Sequence, residues 1–348
     1  RRSRGLGDVY KRQKLNREAG EKKLAEENFK RITLSFYKYV IIKNASELRN
    51  ELYLQLEKLN VLGRVYLAEE GINAQISVPE HHFSAFETQI NSITYFKNIP
   101  FKIALEEPVF SFYKLIIKVR KQIVADGLGI DDYDITNVGN HLNAKQWNEA
   151  IDKGATVVDM RNHYESEIGH FRSAILPEAE TFREELPMVE EILKGKEDEN
   201  ILLYCTGGIR CEKASAYLKH KGFHSVNQLY GGIINYVHEV NKDELENKFI
   251  GKNFVFDDRL AERVTDDIVS NCHQCGNPCD NHTNCKNLHC NLLFIQCDQC
   301  KEKYKNCCSI GCVEVTSLSD NEQKKWRAGK ENKKIFHSHR KVDLKNKL

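Results

Sequence analysis

Long apolar runs are absent from this chain. None of its hydrophobic stretches approaches the roughly 20 residues that a helix needs to span a bilayer, which excludes a helical membrane anchor and predicts a soluble protein. The basic start at 1–13, RRSRGLGDVYKRQ, also lacks the apolar stretch of a secretory signal. It is glycine-interrupted, is expected to be a structureless non-native leader, and is set aside from the fold; 14–31 is taken as an N-terminal extension. A strong net charge of either sign is missing too. The formal total is +2, and residues 1–13 carry five Arg or Lys against Asp8, a net of +4, which leaves −2 for the remainder. Overall charge therefore does not draw this protein to nucleic acid, and any such contact rests on local patches. One patch is plain: 320–348 holds ten Lys or Arg against four acids, with Trp326, Phe336, His337 and His339 interleaved. Taken alone, such a run is a solvated tail.

Cysteine is scarce over most of the length and then abundant. Of twelve cysteines, two are Cys205 and Cys211, and ten lie between Cys272 and Cys312. Clustering of this kind, in a chain without a secretion signal, predicts metal ligation rather than disulfides and a cytoplasmic protein. Cys272-x2-Cys275, Cys285-x4-Cys290, Cys297-x2-Cys300 and Cys308-x3-Cys312 are four successive pairs, each able to grip one tetrahedral ion from a tight turn. Two structural zinc ions follow, with an iron–sulfur cluster as the alternative that paired knuckles in a short loop-rich segment fit less well. If the pairs alternate, one zinc takes Cys272, Cys275, Cys297 and Cys300, and the other takes Cys285, Cys290, Cys308 and Cys312. Cys279, Cys307, His273, His282 and His289 are left over.

At 348 residues, with 41% hydrophobic and 29% charged, the chain has room for two or three self-sufficient domains. The stretch 32–122 opens on strand-like ITLSFYKYVII. A helix with Leu48, Leu52, Leu56 and Leu59 on one face follows, and then a strand in which Ile72, Ala74, Ile76 and Val78 alternate. A second helix near 80–92 leads to alternating FKIAL. The order β-α-β-β-α-β predicts a ferredoxin-like, or acylphosphatase-like, split unit. YKLIIKVRKQIV adds a strand with Lys114, Lys118 and Arg120 near its polar face. The stretch 123–142, rich in Gly, Asp and Asn, is expected to be a linker.

From 143 to 248 the rhythm changes. A short helix near 144–151 precedes the buried-strand runs ATVVDM, SAILP, ILLYC and VNQLY, separated by helical stretches, which implies a parallel sheet covered on both faces. Ligands of such sheets sit beyond the carboxyl ends of the strands, where CTGGIRC begins. A loop that leaves a strand and enters a helix aims backbone N–H groups at its first residue, so Cys205 is expected to be exposed and held as a thiolate. Thr206 and Ile209 complete the cradle, Gly207 and Gly208 let the backbone curl close, and Arg210 adds a cation. Cys211, with Ala214 and Leu218, falls on the sheet-facing side of the helix and is expected to be packed.

The stretch VVDMRNHYESEIGHFRSAILP with YCTGGIRC resembles a rhodanese domain. That resemblance assigns sulfur-carrying or nucleophilic chemistry to Cys205 and the loop-arginine role to Arg210. Asp159 and Arg161 are then expected to pair near the site. FYKY, GRVYLAEEGINAQISVP, IVADGL, NVGNHL, DMRNHYE, CTGGIRCEKASA, IGKNFVFDDR, CHQCGNPCDNHTNC and FIQCDQC occur in one order. As a series they resemble the prokaryotic rhodanese-domain tRNA uridine hydroxylase family over 32–336. The resemblance implies oxygen-dependent hydroxylation at C5 of the wobble uridine, uridine 34, with dioxygen as co-substrate and a reductant of unknown identity. The expected architecture is thus a ferredoxin-like domain, a linker, a rhodanese domain, a cysteine-rich zinc region at 249–318 and a basic tail at 319–348. Beside this family the tail becomes an expected tRNA contact, through Lys324, Lys325, Arg327 and Arg340, to splayed anticodon-loop bases. The alternatives are a sulfurtransferase working through a Cys205 persulfide, and a non-catalytic zinc-bearing RNA-binding scaffold.

Overall fold

Alternation in the first domain produces a sheet with two unlike faces. The computed structural model describes residues 17–106, 110–129, 131–330, 337–338 and 344; the leader at 1–13 and Arg340 lie outside them. After a short helix α1 (Arg17–Ala25), strand β1 (Arg31–Tyr39) leads to helix α2 (Ala45–Lys58). Strands β2 (Leu62–Ala68) and β3 (Gly71–Pro79) form a hairpin, and helix α3 (Phe83–Ser92) precedes β4 (Lys102–Ile103) and β5 (Leu115–Val119). The sheet order is β4-β1-β3-β2-β5, antiparallel except for β5, which runs parallel to β2. One face carries Leu34, Phe36, Val65, Leu67, Ala74 and Ile76 into a core with Leu52, Leu56, Phe86 and Ile90 of the two helices. Period-two geometry then sends their neighbours to the opposite face.

That opposite face is polar and ordered by register. Lys102 pairs with Ser35, Ser35 with Gln75, and Gln75 with Arg64, so four polar side chains form one row across four strands. The next row is Tyr37, Asn73, Tyr66 and Lys118. The strand expected over FKIAL is only two residues long: Ala104 N–H still donates to the Thr33 carbonyl of β1, and Leu105 N–H then turns to the Glu262 carboxylate at 2.9 Å.

The second domain is built as the βα rhythm implies. Strands β6 (Asn140–Leu142), β7 (Thr156–Asp159), β9 (Asn200–Tyr204) and β10 (Ser225–Leu229) form a parallel sheet in the order β6-β10-β9-β7. Ile201 and Leu203 point to one face, under helices α6 (Phe182–Ile192) and α7 (Ile209–His220); Leu202 and Tyr204 point to the other, under α4 (Ala144–Asp152) and α8 (Gly232–Lys242). Between β7 and α6 lie the short helix α5 (His163–Ser166) and β8 (Gly169–Phe171). SAILP does not form the expected strand: Ile175 makes a single bridge to Val158. Nor is the presumed linker free. Val124, Leu128, Tyr133, Ile135 and Val138 pack onto the core of the second domain, and Asp126 is buried against Lys213 at 2.9 Å. Lys213 also meets Glu70 at 2.9 Å, so one buried ammonium ties the β2–β3 turn, the connecting strap and α7 together.

Strand β11 (Phe249–Phe254) pairs with β8 and with β12 (Ala261–Arg263) and carries the chain into the cysteine-rich part. There β13 (His282–Asn284) and β14 (Leu292–Ile295) form a hairpin, β15 (His337–Ser338) adds to it, and α9 (Asp298–Tyr304), α10 (Ile310–Thr316) and α11 (Asp320–Arg327) follow. No helix among the described residues is long and apolar enough to cross a membrane.

Candidate active site

Cys205 follows the last residue of β9, at the carboxyl end of the parallel sheet. The loop to α7 turns on Gly208, whose φ of 94° is disfavoured for residues with a side chain, and a Cβ there would lie 2.8 Å from the Tyr37 hydroxyl. From the other side, α8 begins against the loop: Ile233 N–H donates to the Cys205 carbonyl at 3.0 Å and Ile234 N–H to that of Thr206 at 3.2 Å. Gly232 permits this approach, since a Cβ on it would stand 2.5 Å from the Cys205 oxygen.

The sulfur accepts a hydrogen bond from Gly208 N–H at 3.1 Å. Burial acts to raise the Cys205 pKa, but donation from the Cys211 thiol, the charge of Arg210 and the backbone N–H groups of Arg210 and Cys211 outweigh it and bring it down to about 5. Cys205 is therefore a thiolate at neutral pH. The expected exposure is corrected: Cys205 is 0% solvent-exposed. It is nevertheless among the residues that line a cavity of about 520 Å³, large enough for a nucleobase and its sugar. Cys211 is packed in the core beneath, its own thiol pushed up by burial and by the neighbouring sulfur.

Arg210 is not a free cation. Its guanidinium makes a two-point ion pair with Glu165 of α5, Nη1 to Oε1 at 2.6 Å and Nη2 to Oε2 at 2.9 Å. It borders the cavity with Thr206, Gly207 and Ile209, and it acts on the sulfur through space while Glu165 fixes its orientation. Asp159 and Arg161 also pair, at 2.7 Å, but are fully buried away from the cavity lining. Asp159 accepts the Tyr204 hydroxyl at 2.7 Å and Arg161 donates to the Gly169 carbonyl at 2.6 Å. They brace the strand that presents Cys205.

The cavity's remaining walls come from residues that carry no local sequence motif. The polar face of the first domain's sheet roofs it with Ser35, Tyr37, Arg64, Tyr66, Gln75 and Lys102. The segment after β11 closes the side with Phe256, Asp257 and Arg259, and Arg64 fixes it by donating to the Phe256 carbonyl at 2.9 Å. Alternation along β1, β2 and β3 signals an outward polar face, but nothing local indicates that this face covers a loop more than a hundred residues downstream.

In the cysteine-rich part, two groups of four thiols converge. Cys272, Cys275, Cys297 and Cys300 form one, and Cys285, Cys290, Cys308 and Cys312 the other, with all four sulfurs of each group within 4.8 Å of one another. The pairs thus interleave, first with third and second with fourth. Measured sulfur separations are 3.6 Å for Cys275–Cys297, 3.6 Å for Cys290–Cys308 and 3.8 Å for Cys308–Cys312. A tetrahedron with metal–sulfur bonds of about 2.3 Å has edges of roughly 3.8 Å, so the donor sets fit a metal ion. Cys279 and Cys307 are buried outside both groups. His273 bridges Glu167, at 2.9 Å, and the Ile295 N–H, at 3.1 Å. Lys324, Lys325 and Arg327 lie in the last turn of α11, where Trp326 meets His289 edge to face at 5.3 Å.

A parallel α/β domain with a thiolate loop at its sheet's carboxyl end defines a rhodanese-type protein, here roofed by an acylphosphatase-like domain and followed by a cysteine-rich segment able to hold metal ions. Family models agree, part by part: a UPF0176 acylphosphatase-like domain matches residues 31–123, a rhodanese-like domain 143–239 and a rhodanese C-terminal model 250–313. The chain is 54% identical over 342 residues to a tRNA uridine(34) hydroxylase of Leptospira interrogans, covering 98% of this chain and 92% of that protein. It is 50% identical over 330 residues to a tRNA uridine(34) hydroxylase of Escherichia fergusonii, covering 94% of each. The chain belongs to the tRNA uridine(34) hydroxylase family. Among solved structures, a rhodanese-related protein from Thermoplasma volcanium aligns with 29% of this chain and 92% of its own, at 27% identity and a TM-score of 0.25.

Proposed function

We propose that this protein is a cytoplasmic enzyme that hydroxylates C5 of uridine 34 in tRNA, with Cys205 as the nucleophile and dioxygen as the oxygen source. The observation that carries the reading is a buried thiolate, with a pKa of about 5, facing a cavity of nucleobase size. Carbon 5 of uracil is too weak a nucleophile to meet oxygen unaided. Addition of the Cys205 thiolate to C6 forms a carbon–sulfur bond and moves the C5–C6 electron pair into an enolate over C5 and O4. C5 of the enolate then takes up dioxygen. The peroxide anion so formed takes up a proton, and a two-electron reductant and two further protons then cleave the O–O bond, leaving a hydroxyl on C5 and releasing water. Loss of the C5 proton and expulsion of the thiolate restore the ring. The loop amides that hold the thiolate supply the same stabilisation when it leaves.

Zinc is the ion we assign to the two cysteine groups, which match its preference for four thiolates and sit in short turns. Bound there, zinc would fix the hairpin of β13 and β14 against α9 and α10, with no part in the chemistry. Lys324, Lys325 and Arg327 extend the RNA contact from this segment toward the anticodon arm.

The test is incubation of purified protein with tRNA, reductant and isotopically heavy dioxygen, followed by nucleoside mass spectrometry. Heavy oxygen in 5-hydroxyuridine is expected. Unmodified tRNA with thiocyanate formation from thiosulfate and cyanide would instead assign sulfur transfer.

A further inference from the structure

Lys102 is the one cation of the sheet's polar row that stands beside the reactive loop. It is 8% exposed, lies in the two-residue strand β4, and lines the same cavity as Cys205. Its stem faces the loop: a Cβ on Gly207 would stand in ordinary van der Waals contact with Lys102 Cδ, at 3.8 Å. The ammonium sits 4.2 Å from the centroid of the Tyr37 ring, which holds it from below as a cation–π partner. It donates no hydrogen bond to any described residue, although a buried ammonium without partners is costly. Beyond Ser35 in the row, Gln75 lines the cavity, and its carboxamide makes no hydrogen bond within the described residues. Burial lowers the Lys102 pKa to about 8 against the opposing pull of Cys205 and Glu212, so the group is still mostly charged at neutral pH.

We infer that Lys102 is a catalytic and base-selecting residue, whose ammonium donates to O4 of the uracil while Gln75 pairs with the base's N3–O2 edge. An ammonium carries donors and no acceptor. The atom opposite must therefore accept, which fits O4 of uracil and rejects the 4-amino group of cytosine. When the Cys205 thiolate adds to C6, the displaced electron pair accumulates on O4, where a preformed cation is worth most. The reaction site is thus shared between two domains: the rhodanese loop supplies the nucleophile and the first domain supplies the electrophilic partner. This inference rests on uridine hydroxylation as the reaction.

The test compares Lys102→Gln and Lys102→Arg with the unaltered full-length protein, using single-turnover hydroxylation at saturating tRNA and alkylation of Cys205 without RNA. Lys102→Gln is expected to slow hydroxylation by about 100-fold, the usual loss for one oxyanion donor, with tRNA affinity little changed. Lys102→Arg, which keeps the charge, is expected to recover much of that loss. The alkylation midpoint of Cys205, near its pKa of about 5, is expected to rise in Lys102→Gln and not in Lys102→Arg. The other charged and titratable groups around the cavity, Tyr37 of β1, Arg64 and Tyr66 of β2, Tyr164 of α5, Glu180 before α6, Arg210 and Glu212 of α7, and Asp257, Arg259 and Glu262 beyond β11, are common to all three proteins. Hydroxylation by Lys102→Gln within about threefold of the unaltered protein, or an unmoved alkylation midpoint, would overturn the assignment. If the unaltered protein itself fails to hydroxylate tRNA, the proposed reaction falls, while the alkylation series still reports whether Lys102 acts on the sulfur.

Discussion

Arg210 and Glu165 are locked together behind the cysteine loop, guanidinium to carboxylate at 2.6 and 2.9 Å, with Glu165 fully buried. The arginine of the loop is therefore a fixed charge held by an acid from α5, and the hydrogen bonds that reach the sulfur come from Gly208 and its neighbours. Glu165→Ala leaves a guanidinium buried without its partner. The cost expected is about 3 to 5 kcal/mol of stability, as for other broken buried pairs, measured by urea unfolding. A loss below about 1 kcal/mol, the range of surface pairs, would show that water replaces the carboxylate.

The pH dependence of Cys205 follows from its cradle. A thiol held near pKa 5 is charged above that pH and protonated below it. Alkylation by a small reagent should thus rise between about pH 4 and pH 6 and then level off, whereas an ordinary thiol keeps gaining reactivity through about pH 8.5. Peptide mass spectrometry assigns the label, and Cys211, whose thiol is pushed up by burial, is expected to stay unlabelled over that range. A Cys205 profile still climbing at pH 8 would contradict the anionic cradle.

Metal content tests the interleaved thiol groups. Two zinc ions per chain are expected by elemental analysis, and Cys272→Ser and Cys285→Ser should each lose one. Removal of both by a thiol-blocking mercurial should unfold the segment beyond β12, since structural zinc contributes on the order of 10 kcal/mol to modules of this size. Proteolysis in the cysteine-rich stretch, with the rhodanese domain left intact, is the readout. Retention of both ions in either single variant would contradict the pairing.

On α11, Lys324, Lys325 and Arg327 should contribute affinity without sequence readout. Replacing all three by alanine is expected to weaken tRNA binding and to reduce the slope of log K against log salt by about 0.7 for each lost phosphate contact with single-stranded RNA. Binding measured across a salt series checks it, and an unchanged slope would remove α11 from the interface.

The sequence carried the local chemistry and missed the assembly. Ile72, Ala74 and Ile76 alternate because β3 is half-buried, and four cysteine pairs are visible because each ligand pair comes from one turn. The reactive loop is equally local, a strand end, two glycines and an arginine. By contrast, Lys102 and Gln75 reach the cavity through strand register, and Glu165 reaches Arg210 across 45 residues of sequence. Short-range patterns do not encode those distances. The stretch 123–142 has the Gly, Asp and Asn content of a linker, but Tyr133 and Asp126 find buried partners that its composition does not reveal.

The most direct test of the thiolate's role is nucleoside analysis of tRNA from cells deleted for this gene and supplied with either the unaltered protein or Cys205→Ser. The unaltered protein should restore 5-hydroxylated uridine at position 34, and Cys205→Ser, although folded and able to bind tRNA, should restore none. Restoration by the serine variant at the unaltered level would show that the sulfur takes no part in the reaction.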